Sequence, residues 1–216
     1  VNLRQPLVTF ACAACYGFAL GAAHDDLYAA RNMIKFPLLI SATATICSLS
    51  WWVLSQTLGA RLGFLAVQRA AWMLFHDVSI LLASLSPAVL FVALVMRRTD
   101  DGLLGEYDFY LKANVMLIGA CGVLALWNQA RALMPNAGIS MKRAIPVVLA
   151  WLAVTCFVGG QVAFLLRPYF GFPATRGGTP PWFLWDEADV RGATNFYEAI
   201  WQAIERKALP EFGGYR

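Results

Sequence analysis

The stretch AIPVVLAWLAVTCFVGGQVAFLL, from Ala144 to Leu166, decides how this chain is read. It holds no charged residue. About 20 such residues at helical rise cross the ~30 Å hydrocarbon core of a bilayer. Lys142 and Arg143 stand before it and Arg167 after it, where charged groups meet water. The stretch therefore predicts a membrane span. Inside it, Gly159 and Gly160 are expected to admit a neighbouring helix closely, and the Gln161 amide to hydrogen-bond across that contact. Arg167 marks the interface, and Pro168 stops the helix because it has no N–H to continue it.

Composition extends this reading to the whole chain. Of 216 residues, 59% are apolar and 14% charged. Soluble domains run nearer ~45–50% and ~25%. The net charge of +4 is scattered, with no basic cluster interleaved with aromatics, so nucleic-acid binding is not expected. The five cysteines (12, 15, 47, 121 and 156) all lie in apolar segments, which argues against a disulfide framework.

Upstream, four further stretches pass the length and charge test. Residues 5–23 form the first and read as an uncleaved anchor more than a cleaved signal peptide. Gly17 and Gly21 form a GxxxG there, predicting close packing inside the bundle. Residues 24–35 read as a connection and 36–57 as the second span, with Trp51 and Trp52 in an interfacial aromatic belt. Residues 61–76 are apolar but broken by Gln68 and Arg69, which predicts an interfacial amphipathic helix leading into a span over 78–96. Pro87 should kink that span, with Ser84, Ser86 or a neighbouring helix satisfying the freed carbonyl. The fourth span is 113–130.

The expected fold is thus an all-α integral membrane bundle of about five transmembrane helices, with interfacial amphipathic helices and an aromatic-rich tail. Residues 1–166 form the bundle and 167–216 an extramembrane tail. In the tail, Asn195 is placed to cap an amphipathic helix over 195–207, with Glu198 at the capping-box position. Trp182, Trp185, Phe196 and Trp201 are its candidate partner-binding residues. Basic residues divide almost evenly between the two sides. A slight excess beside the N-terminus predicts a cytoplasmic N-terminus and an outside tail.

Chemical motifs are few. His24 and His76 fall on opposite faces of a five-span bundle, so they cannot share one iron, and no cofactor is expected at either. Cys12 and Cys15 have CxxC spacing, but a thiolate in hydrocarbon is costly, so buried packing is expected. His76-Asp77 suits a proton relay; a helix-start carboxylate near the interface is the favoured reading. Residues 25–26 and 100–101 are paired aspartates read as solvated loops, so no metal site is assigned. No nucleophile motif, phosphate loop or pair of carboxylates at membrane depth is present, so an enzyme is not expected.

The runs VGGQVAFLLRPYFGFP (158–173), IKFPLL (34–39) and SLSP (84–87) resemble bacterial polytopic membrane proteins loosely described as Yip1-like. The resemblance implies a bacterial inner-membrane location and carries no established activity or functional residue. The expected function is a non-catalytic accessory or scaffold subunit of a larger membrane assembly. Its partners would be membrane lipids and other membrane-protein subunits or a second copy. The alternative is a small transporter or channel for a lipid or neutral solute, supported by Pro87 and the Gly159-Gly160 site.

Overall fold

The computed structural model describes residues 4–98, 104–136, 138–169, 182–183, 195–198 and 201. Its five long helices are α1 (Arg4–Gly21), α2 (Asp26–Thr57), α3 (Phe64–Arg98), α4 (Leu104–Asn136) and α5 (Met141–Leu165). No strand occurs among the described residues. Four helices, α2 to α5, are long and apolar enough to cross a membrane. They mark a multi-pass membrane protein. α1 has 18 residues and opens with Arg4 and Gln5; it falls outside that group.

The helices run alternately up and down. α1 packs along α2 and α3, α2 also touches α5, and α4 bridges α3 and α5. One face of the bundle carries the ends at Arg4, Thr57, Phe64, Asn136 and Met141; the second carries Gly21, Asp26, Arg98, Leu104 and Leu165. Phe91, Met116 and Leu124 open outward, as lipid-facing side chains would.

Glycine sets the tightest contact. A Cβ on Gly17 would run into the Asn32 carbonyl oxygen and the Phe36 Cβ, and one on Gly21 would lie 2.6 Å from the Tyr28 carbonyl oxygen. The α1–α2 seam therefore brings backbone against backbone. Beside it the buried Tyr16 hydroxyl donates to Asn114 Oδ1 at 2.8 Å, tying α1 to α4.

Trp51 is wholly buried and stacks on Trp151 with centroids 4.5 Å apart and planes 2° apart. Each indole Nε1 donates to the other's backbone carbonyl, at 3.2 and 3.1 Å. Trp51 is thus a core residue, and the expected aromatic belt does not include it. Its partner lies 100 residues away, beyond any local signal.

Helix boundaries also depart from expectation. α2 begins at Asp26, so residues 26–35 are helical and do not form a loop. Asp25 is the reason: its Oδ1 accepts the Tyr28 amide at 2.7 Å, and Asp26 in the first turn suits the helix dipole. Pro37 consequently lies inside the helix. No separate amphipathic helix precedes the third span; α3 is continuous from Phe64. Nothing between Gly63 and Pro87 breaks a helix. Val67, Ala70, Ala71, Leu74, Phe75 and Val78 keep one buried stripe running while Arg69 points out. α3 runs through Pro87. The Ser84 and Ser86 hydroxyls bond the carbonyls of Ile80, Leu81 and Leu82, and neither takes the Ala83 carbonyl that Pro87 leaves free.

Candidate functional site at the end of α5

α2 outlasts α5 on the second face. Lys35, ten residues into α2, reaches the carbonyl of Pro168, three residues past the end of α5. The first turns of α2 therefore stand beyond α5 by about 13 Å at helical rise. Arg31, Asn32 and Lys35 share one side of this overhang by their spacing.

α5 ends by a tightened turn. The Leu166 amide bonds Val162 O, the Arg167 amide bonds Phe164 O, and Pro168 follows through a cis peptide bond. The chain then presents two adjacent carbonyls to α2. Lys35 Nζ donates to Pro168 O at 2.9 Å, and Asn32 Nδ2 donates to Tyr169 O. Lys35 is only 2% exposed and Asn32 is fully buried. Among the described residues no carboxylate lies in salt-bridge range of Lys35; His24 Nδ1 and Asp25 lie 3.5 Å from each other. Arg31, one turn earlier, adds charge of the same sign beside it.

Aromatic rings line the cluster. The Arg31 guanidinium lies 5.0 Å from the Trp182 ring centroid, Lys35 Nζ 5.3 Å from Phe183, and the Arg167 guanidinium 3.7 Å from Phe164. Such contacts offset part of the desolvation of a cation. Asn32 Oδ1 and the Tyr169 hydroxyl are buried with no hydrogen-bond partner among the described residues. Burial pushes the Tyr169 phenol above its usual range.

The C-terminal segment closes back onto α5 nearby. The Asn195 side chain accepts the Glu198 amide at 3.0 Å, forming the cap that the sequence suggests. Phe196 sits on Gly160, where a Cβ would be 2.7 Å from its ring. The Tyr197 hydroxyl donates to Cys156 O at 2.7 Å, and its ring stacks on Phe157. Gly160 therefore receives tail aromatics, whereas a helix was expected there. Gly159 faces α2 loosely; a Cβ there would lie 3.6 Å from Thr43 Cγ2. Gln161 is half-buried. Trp182 and Trp201 remain 46% and 61% exposed. Trp185 and the rest of the predicted tail stripe lie outside the described residues.

The other candidates do not join this cluster. His24 packs against Tyr28, with ring centroids 4.8 Å apart, near the second face. His76 Nδ1 meets the Thr9 hydroxyl at 2.8 Å, toward the other end of α1. Asp77 lies well inside α3, not at a helix start, and accepts from Gln129 Nε2 at 2.7 Å. Cys15 is exposed and Cys12 half-buried, so this pair is not packed within the chain's core as expected.

Sequence reasoning missed Asn32, Lys35 and Tyr169. The available signal was Asp25-Asp26 as a helix start, which puts Arg31, Asn32 and Lys35 on one helical face.

No protein-family model matches this chain, and it has no match among curated proteins or solved structures.

Proposed function

We propose that this chain is a non-catalytic integral membrane subunit, an accessory or scaffold within a larger assembly of a bacterial plasma membrane. The observation that carries this reading is the docked C-terminal segment. Phe196 and Tyr197 are seated on α5, while Trp182 and Trp201 keep about half of their surface exposed. Aromatic side chains fixed in this way are preferred anchors at protein interfaces. The stacked Trp51 and Trp151 fill the contact between α2 and α5, which favours a packed scaffold over a transporter or channel.

In this reading α1 is a fifth span. It touches α3 near Thr9 and α2 near Gly21, so it shares the depth of helices that cross. The face carrying Arg4, Arg61, Arg69 and Arg131 is cytoplasmic, following the positive-inside rule, and the end of α5 at Leu165 lies on the outer side, with Phe196 and Tyr197 folded back onto the span.

The test is gentle solubilisation from the native membrane followed by mass measurement. The expected particle exceeds the mass of one chain and loses its partner in a Trp182→Ser/Trp201→Ser variant. A uniformly monomeric wild-type particle would count decisively against the proposal.

A further inference from the structure

We infer that Lys35 and Asn32, at the end of α5, form a binding site for a singly charged phosphate group that also offers a proton donor. That chemistry is shared by ethanolamine and glycerol phospholipid headgroups and by free dihydrogen phosphate. The site shares Trp182 with the aromatic surface invoked above, but its ligand contacts are Lys35 and Asn32, so variants at those two residues test it without touching Trp182 or Trp201.

The inference starts from unspent hydrogen-bonding capacity. An ammonium has three donors. Lys35 places one on Pro168 O, and no described carboxylate neutralises it. A nearly fully buried cation in that condition is costly. An entering anion removes the penalty. Asn32 supplies the second half of the recognition. Its Nδ2 is held by Tyr169 O, which fixes the amide orientation and leaves Oδ1 as a buried acceptor with no partner. Oδ1 repels a bare phosphate oxygen but accepts from an ammonium or hydroxyl beside it. Location supplies the third part. The site stands level with the end of α5, at the edge of the span that ends at Leu165, and lipid phosphates lie just outside the hydrocarbon core. One aromatic ring lies over each cation, Trp182 over Arg31 and Phe183 over Lys35.

The experiment uses the full chain, purified in mild detergent and stripped of lipid. Phosphatidylethanolamine, phosphatidylglycerol, phosphatidylcholine or inorganic phosphate is then added. Retained adducts are read by native mass spectrometry, and protection is read by thermal unfolding. The ethanolamine and glycerol lipids should bind about tenfold more tightly than phosphatidylcholine, which carries phosphate without a donor. Asn32→Leu should abolish that preference, Lys35→Met should lower retention of all three phospholipids, and Lys35→Arg should keep both. Lys35→Gln retains a donor for Pro168 and serves if Lys35→Met does not fold. Protection by inorganic phosphate that depends on Lys35 would support the site and assign it to free phosphate. Protection by phospholipid alone would assign it to the bilayer. Lys35→Met and Lys35→Gln proteins that bind like wild type would overturn the inference. So would adducts that appear only after Asp186→Asn, Glu187→Gln and Asp189→Asn are combined, because the chain's own carboxylates would then be the occupant.

Discussion

Replacing Trp151 separates what the indole pair contributes by packing from what it contributes by hydrogen bonding. In Trp151→Phe the ring face remains but the Nε1–H is lost. The Trp51 carbonyl still accepts the Ser55 hydroxyl at 2.6 Å, so no acceptor is left without a partner. The cost should be that of one hydrogen bond, about 0.6–1.5 kcal/mol, plus about 1 kcal/mol for the part of the indole face that the smaller phenyl ring leaves empty. Trp151→Ala also removes the face on which Trp51 stacks, worth about 0.5–1.5 kcal/mol, and leaves a cavity between α2 and α5. In a water-soluble core such a truncation costs about 3–5 kcal/mol. Part of that figure is transfer from water, which shrinks when the separated helices stay in lipid. The expected cost is therefore about 2–4 kcal/mol.

A double-mutant cycle tests the pairing itself. The stack is lost in Trp51→Ala and again in Trp151→Ala, but only once in the double variant. The double should be less destabilised than the sum of the singles by about 1 kcal/mol. Stability is best measured by titrating sodium dodecyl sulfate into mild-detergent micelles and following far-ultraviolet circular dichroism, which does not depend on the replaced fluorophores. A Trp151→Ala variant within about 0.5 kcal/mol of wild type, or singles that simply add, would refute this account of the α2–α5 contact.

Gly17→Ala should destabilise the bundle by about 1–3 kcal/mol, because its methyl would meet the α2 backbone at Asn32. Gly119→Ala and Gly122→Ala, on α4 with open space where a Cβ would go, should be neutral or stabilising by up to about 1 kcal/mol. The same denaturant titration checks both, and equal effects at the three sites would contradict the tight α1–α2 seam. Gly160→Leu should expel the Phe196 ring while leaving the helices in place. Limited proteolysis should then cut the C-terminal segment faster at unchanged unfolding midpoint. A lowered midpoint without faster cleavage would show that Gly160 serves the helix bundle instead.

Much of the fold was legible because the bilayer makes a simple demand. Backbone groups in hydrocarbon must be satisfied within the helix, so long uncharged runs announce themselves. The 144–166 stretch was read almost to its ends in α5. Helix overhangs were less legible, because residues 26–35 and 64–77 mix polar and apolar side chains in a way that fits loop, interface or helix. The Asp25 cap was the decisive local feature for α2, and the absence of any breaker was decisive for α3. The candidate site was hardly legible at all. Lys35 looked like a connection residue, and its burial depends on the path of the chain after Pro168, more than 130 residues on.

The sequence by itself determined that this is an all-helical membrane protein, where its apolar runs lie, that Gly17 and Gly21 sit at small-residue spacing, and that Asn195 stands three residues before the Glu198 amide it accepts. Each follows from periodicity, length or a neighbour three or four residues away. Only the tertiary structure decided that Trp51 pairs with Trp151, that Gly160 receives Phe196, and that Lys35 and Asn32 meet the carbonyls of Pro168 and Tyr169. Those contacts join residues far apart in the chain, and which helix faces meet is set by how five helices share one packing problem.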